Sequence, residues 1–375
     1  MLYGTTEAGG TSTLGTVFEL TKPAGEPWKE TVILSFNGSD GQRPESTLTA
    51  STTGAFYGTT TQVAYGGGVD NGTIFELAPP STAGGAWTET VLYTFVYVAQ
   101  PQEAQNVLPN GTLLPGPGGT LYTTTQGSAD DPNGGPSLGD VVALVPPATS
   151  GGDWTEYQLY TFGYPQGEKP EAGVVSEGGS LLGTTYSAGG GGAGTVYELT
   201  PPATHGGTWT ETTIHTFMGP DGANPAAPLT VGPGGALYGT TTEGGSATCG
   251  CGAVFQLTPP STTGGAWTES AIYSFTGTDG DGSTPQASVV VGENGALYGT
   301  TQYGGSANLG TVFMLTPPSV TGGAWTETVL HSFTGQNGDG ATPLAALTLS
   351  STGVLYGTTS EGGTAGKGTA FAVAP

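Results

Sequence analysis

The string Leu-Tyr-Gly-Thr-Thr at residues 2–6 constrains this chain more than any other feature, because it keeps returning. It reads FYGTT at 56–60, LYTTT at 121–125 and LLGTT at 181–185. It is LYGTT again at 237–241, 297–301 and 355–359. Successive copies begin 54, 65, 60, 56, 60 and 58 residues apart, by subtraction of those start positions. A period of this size means that one supersecondary unit is repeated and that each unit buries its apolar faces against its neighbours. Tryptophan marks another part of the unit and occurs six times, at Trp28, Trp87, Trp154, Trp209, Trp267 and Trp325.

The fifth copy shows the unit in full. A short run PLTV is followed, across a glycine turn, by ALYGTTT, then AVFQLT, then WTESAIYSF. In the last run Trp267, Glu269, Ala271, Tyr273 and Phe275 alternate with Thr268, Ser270, Ile272 and Ser274. A period of two is the signature of a strand. The turn between the third and fourth runs is nearly fixed, as in PPSTAGGAW, PPATSGGDW and PPSTTGGAW. Proline ends the third strand there because it supplies no ladder donor. Four antiparallel strands per unit of about 60 residues predict an all-β fold, a β-propeller of seven four-stranded blades. Residues 1–375 then form one propeller domain of tandem repeats 54–65 residues long, the last one partial. A β-solenoid is the competing architecture. The glycine of YGTT is expected to make room for an aromatic ring of the next blade.

The counts of seven and six have a simple reading. The chain runs second-third-fourth strand, then five complete units, then first-second-third, to give 26 strands. The first blade lacks its inner strand and the last its outer one. The expectation is that about 30–40 residues of repeat, and any export signal, belong to a longer parent chain.

Composition narrows the partners. Five Lys and Arg stand against 29 Asp and Glu, for a net charge of −24 on a chain only 9% charged. That field argues against nucleic-acid phosphates and anionic membranes, and favours cations, neutral glycans or basic proteins. No apolar run approaches the roughly 20 residues of a membrane span. The bases Lys22, Lys29, Arg43, Lys169 and Lys367 are scattered, and no phosphate-binding glycine loop with lysine occurs. Cys249 and Cys251 flank one glycine, a spacing open to a local disulfide or to a pair of metal ligands.

The ordered pattern G-x-LYGTT-x-x-GG, GTVFELTP, W-x-ET-V-L-x-SF-x-G-x-DG-x-x-P resembles the GloVer repeat, the Gloeobacter–Verrucomicrobia type found in tandem in exported bacterial proteins. The resemblance covers essentially the whole chain. It implies a propeller-like protein at the cell surface or outside the cell, and it brings no reaction and no catalytic residues. The third repeat departs from the pattern, with LYTTT for LYGTT and GDVVALVPP for GTVFELTPP.

Up-and-down topology sorts the loops. The turns joining first to second and third to fourth strands share one face and are nearly uncharged. The connections joining second to third strands, and one unit to the next, share the other. Those between units carry Asp40, Asp221, Asp279, Asp281 and Asp339; those after the second strand begin with Glu7, Glu243 and Glu361. An enlarged sector at 96–119 and 126–140 adds Glu103, Asp130 and Asp131. This acidic rim is the candidate ligand site. Within DGDG at 279–282, Asp279 and Asp281 are candidate calcium ligands, with a self-capped turn as the plainer reading.

Other constellations are weaker. His215 and His331 take the place of Tyr93, Tyr160 and Tyr273 and read as packing residues; His205 lies in a turn on the opposite face. The glutamates Glu30, Glu89, Glu156, Glu211, Glu269 and Glu327 recur in every fourth strand and read as architectural. The reading is therefore a binding or interaction module for a glycan, a cation or a protein partner. It would act outside the cytoplasm without nucleic acid or membrane insertion. A carbohydrate-active lyase or hydrolase using rim carboxylates is one alternative, and a structural envelope or matrix protein another. An enzyme would bring acids together in one cleft, one of them with a raised pKa. A binding module would set exposed aromatics beside the rim.

Overall fold

In the computed structural model the chain is an all-β, seven-bladed propeller of small antiparallel sheets with almost no helix. The structure describes residues 1–375 except 24, 63–71, 83, 96–107, 110, 127–138, 150, 164–165, 188–191, 205–206, 247, 263 and 321. The described chain divides into two compact units. One comprises Met1–Gly163, Glu168–Val174 and Pro202–Trp209; the other comprises Tyr164–Gly167, Val175–Pro201 and Thr210–Pro375.

In the first unit, blade 1 is Leu2–Thr6, Thr16–Thr21 and Lys29–Ser35. Blade 2 is Thr49–Ala50, Phe56–Thr60, Thr73–Ala78 and Thr88–Thr94. In blade 3, Leu108–Pro109 and Leu114–Pro115 both pair with Leu121–Gln126, followed by Asp140–Val145 and Thr155–Thr161.

In the second unit, blade 4 is Val175–Glu177, Ser180–Thr185, Thr195–Thr200 and Thr210–Thr216. Blade 5 is Thr230–Val231, Leu237–Thr241, Ala253–Thr258 and Thr268–Ser274. Blade 6 is Val290–Val291, Leu297–Thr301, Thr311–Thr316 and Thr326–Ser332. Blade 7 is Thr348–Leu349, Leu355–Thr359 and Thr369–Val373. The predicted strand order is thus found in every blade, with three strands in blades 1 and 7 and the inner position of blade 3 shared by two short strands.

One hydrophobic recipe builds the contacts between successive blades inside each unit. Between blades 5 and 6, Val254 and Phe275 of one meet Leu297, Phe313 and Leu315 of the other, all 0% exposed. Val17 and Phe36 meet Phe75 and Leu77 in the same way between blades 1 and 2. The phenylalanine ending each fourth strand is pinned by its backbone as well. The N–H of Phe36 donates to Gly15 O (3.1 Å), that of Phe217 to Gly194 O (3.0 Å) and that of Phe275 to Gly252 O (3.0 Å).

The threonines of YGTT are buried polar links. The hydroxyls of Thr60 and Thr73, Thr185 and Thr195, and Thr301 and Thr311 lie 2.7–2.8 Å apart across the sheet. The preceding threonine reaches the next repeat, as Thr240 does by donating to Ala287 O at 3.0 Å. Buried hydroxyls without such partners would destabilise the sheet.

Two expectations are corrected. The glycine of YGTT makes room for a ring of its own blade, on the strand directly opposite, and not for one of the next blade. A Cβ on Gly239 would lie 2.3 Å from Cζ of Phe255, its cross-strand partner, and one on Gly299 would lie 2.5 Å from Cζ of Phe313. The third repeat proves the dependence. Thr123 replaces the glycine, and its partner across the sheet is Val142, where other blades carry an aromatic ring. Two apparent departures in sequence are one compensated change in packing.

Alternation in the fourth strand is also not continuous. Val254 pairs with Tyr273 and Phe255 with Ala271, so Ile272 is an extra residue in a β-bulge. The same shift occurs in every fourth strand described. The bulge turns Ile272 toward the core, where it packs partly buried against the cluster that holds Phe275 and Phe313, and leaves Ala271 exposed.

Candidate functional site

The connections assigned to the acidic face do come together. Gly282–Ser283, between blades 5 and 6, pairs with Tyr303–Gly304, which follows the second strand of blade 6. Gly340–Ala341 pairs likewise with Glu361–Gly362. Isolated bridges repeat this at Gln42 with Gln62 and at Ala223 with Glu243. These four inter-repeat connections are therefore clamped to the following blade.

Most rim aspartates close their own turns. Asp40 is buried and accepts from Asn37 N (2.9 Å) and Asn37 Nδ2 (2.6 Å). Asp281 accepts from Thr276 N and Oγ1, both at 2.7 Å, and from Gly282 N at 2.6 Å. Asp339 accepts from Thr334 N, Thr334 Oγ1 and Gly340 N. Asp279 is exposed with φ +55°, beside Gly280 at +90°. The structure places Glu7 in an ion pair with Arg43, which also lies 3.3 Å from Glu45. Glu243 and Glu361 are exposed on their ribbons. Glu103, Asp130, Asp131 and His205 lie outside the described residues.

The repeating glutamate of the fourth strand was not legible as part of a site, and it is the residue that completes one. It is half-buried in blades 2 to 6. Glu327 faces Asp281 of the preceding connection, Glu269 faces Asp221, and Glu89 faces Asp40. Burial first, and then the neighbouring aspartate, push each of these three glutamates up to about 7. Among the described residues, Oε1 of Glu89, Glu269 and Glu327 is buried and finds no hydrogen-bond partner. Where the connection carries no Asp-Gly turn, between blades 2 and 3, the Tyr93 hydroxyl donates directly to Glu156 Oε2 at 2.8 Å. The signal in sequence was the pairing of each loop aspartate with the glutamate of the following repeat.

The third member is the residue two before the terminal phenylalanine. Tyr273 packs edge-on against Phe275 with centroids 5.1 Å apart, and its hydroxyl hydrogen-bonds Asp281. Burial, Asp281 and Glu327 push that hydroxyl far up from its ordinary pKa. His215 and His331 pack in the same place, 4.7 Å from Phe217 and Phe333, as packing residues should. They also lie within 3.0 Å of Asp221 and 3.2 Å of Asp339. Burial pulls the His215 pKa down against the opposing pull of Asp221.

Between blades 5 and 6 this trio opens into a cleft of about 480 Å³. Tyr273, Asp281 and Glu327 line it together with Asp279 and the hydroxyl-bearing Thr276, Thr278, Ser306 and Ser332. Tyr303, 43% exposed, stands on the ribbon strand paired with Ser283. Three carboxyls in one cleft, that of Glu327 with a raised pKa, and an exposed aromatic near the rim are therefore both present. Cys249 and Cys251 are joined in a disulfide around Gly250. No helix among the described residues is long and apolar enough to cross a membrane.

Comparison with known proteins adds to this picture. The periplasmic gluconolactonase of Pseudomonas aeruginosa matches with a TM-score of 0.57 at 15% identity, over 100% of this chain and 96% of that one. The Hadza microbial sialidase Hz136 matches with a TM-score of 0.49 at 14% identity, over 96% of this chain and 71% of that one. The likeness to the gluconolactonase, at that identity, is one of fold. A search of curated proteins finds no match. The Gloeobacter/Verrucomicrobia repeat matches residues 139–371, more than half of the sequence. The chain belongs to the Gloeobacter/Verrucomicrobia repeat family.

Proposed function

We propose that this propeller is an extracytoplasmic binding module that takes a polyhydroxylated ligand, a glycan or surface polymer, in the cleft between blades 5 and 6. The observation that carries the reading is the lining. Three carboxyls (Asp279, Asp281 and Glu327), four hydroxyl-bearing residues and a tyrosine around about 480 Å³ offer many hydrogen-bond donors and acceptors but no cationic group. That suits a neutral, hydroxyl-rich ligand and repels anionic ones. The disulfide supports a location in an oxidising compartment. Calcium at Asp279 and Asp281 would bridge such a ligand to the rim, in exchange for the turn hydrogen bonds that Asp281 now accepts.

A second reading is favoured by one observation. Glu327 loses its proton near pH 7 and shares the cleft with Asp281, as a general acid and its partner carboxylate would in glycoside cleavage. It ranks second because the same pairing and the same raised pKa recur at Glu89 and Glu269, so they follow from the repeat. The test is a polysaccharide panel scored for binding and for product release. The binding reading expects saturable binding, at least tenfold weaker in Asp281→Asn, without turnover. Product release that disappears in Glu327→Gln would replace it with the hydrolase or lyase reading. A panel with neither binding nor release, from a chain that self-associates, would leave the structural reading.

A further inference from the structure

We propose that His215, Asp221 and Glu269 form a zinc site between the outer strands of blades 4 and 5, separate from the cleft between blades 5 and 6. One ligand atom from each residue lies within 4.8 Å of the others. They are the one such set of three metal-ligating side chains among the described residues. One imidazole nitrogen and two carboxylate oxygens are a borderline donor set. It suits zinc, which bonds nitrogen and oxygen at about 2.0–2.2 Å and accepts water as a fourth ligand. His215 Nε2 and Asp221 Oδ2 are already 3.0 Å apart, a separation that two ligands of one tetrahedral ion can hold. Small side-chain rotations bring in the glutamate.

The surroundings orient this set. Asp221 Oδ1 accepts from Met218 N at 2.9 Å, which aims the other oxygen at the imidazole. Such outer hydrogen bonds fix the direction of metal-binding carboxylates. The His215 ring is held edge-on against Phe217. Oε1 of Glu269 is buried without a hydrogen-bond partner, so a carboxylate oxygen is available where a cation would satisfy it.

The repeat supplies its own controls. Between blades 5 and 6 the aspartate and glutamate are present as Asp281 and Glu327, but Tyr273 stands where the histidine would be. A neutral phenol bound to the aspartate gives no nitrogen ligand. Between blades 6 and 7, His331 and Asp339 are present, and blade 7 brings no fourth strand to supply the glutamate. The complete set occurs only where His215 meets Glu269 among the described residues.

The experiment is a titration of EDTA-treated protein with zinc chloride at neutral pH and physiological ionic strength, read by calorimetry and chelator competition. The natural chain should take up one tightly held zinc. His215→Tyr, which installs the residue of the neighbouring blade and so keeps the fold, should weaken it at least tenfold, as should Glu269→Gln. Tyr273→His should add a second zinc of similar affinity, a gain that loss of folding cannot mimic. Equal uptake by the natural chain and His215→Tyr would overturn the proposal. So would the absence of tight zinc in the natural chain.

Discussion

Replacing Glu89, Glu269 and Glu327 together with glutamine should stabilise the protein at pH 8 and leave it nearly unchanged at pH 4.5. Each carboxyl ordinarily loses its proton near 4.5, and in the fold only near 7. Below pH 4.5 folded and unfolded chains both hold the proton, so the site costs nothing. Between 4.5 and 7 the folded chain binds more protons than the unfolded one, and stability falls as pH rises. Above 7 the loss is complete and constant. At about 1.36 kcal/mol per pH unit the ceiling is about 3.4 kcal/mol per glutamate, and solvent screening of a half-buried group reduces it to about 1–2. Three sites give about 3–6 kcal/mol. A chain of this length unfolds with an entropy of about 0.8 kcal/mol per kelvin, so the triple variant should melt about 4–8 °C higher at pH 8. The assay is thermal unfolding by circular dichroism from pH 4.5 to 8, with EDTA present. A variant that melts with the natural chain at every pH, or below it at pH 8, would refute the paired-carboxyl account.

Other outcomes follow from the packing. Gly239→Ala should cost about 1–3 kcal/mol because the new methyl meets the buried Phe255 ring, and Phe255→Val should recover part of that loss, as Thr123 with Val142 does naturally; urea unfolding of both single variants and the double measures the coupling. Asp339→Asn should destabilise at pH 7 by about 1–2 kcal/mol. Burial opposes ionisation of Asp339, but hydrogen bonds from Thr334 and His331 outweigh it and hold its pKa below the ordinary 3.8. Its contribution is thus present above that value and lost as pH falls below it, so the two proteins should converge in acid melts.

Sequence disclosed the repeat, the four strands and their order because these are local and recur six or seven times each. It also disclosed which connections share a face, since up-and-down strands leave no choice. The bulge at Ile272 was hidden because a period of two looks intact until the partner strand is known. The glycine was assigned to the wrong blade for the same reason: residue 239 and its partner 255 are joined only by register. Glu269 and Glu327 looked architectural because they recur. Their role depends on Asp221 and Asp281 of the preceding repeat, a relation that reading one unit at a time conceals. His215 was read correctly as a packing residue, yet packing against Phe217 does not exclude its approach to Asp221.

The central claim is that the cleft of Tyr273, Asp281 and Glu327 binds a hydroxyl-rich ligand without converting it. Calorimetric titration of the natural chain, Asp281→Asn and Glu327→Gln with the best ligand of a polysaccharide panel, followed by analysis of the recovered sugar, tests it most directly. The account predicts one saturable site, weakened at least tenfold by Asp281→Asn, and ligand recovered intact. Binding that is indifferent to both substitutions, or a ligand recovered in fragments, would contradict it.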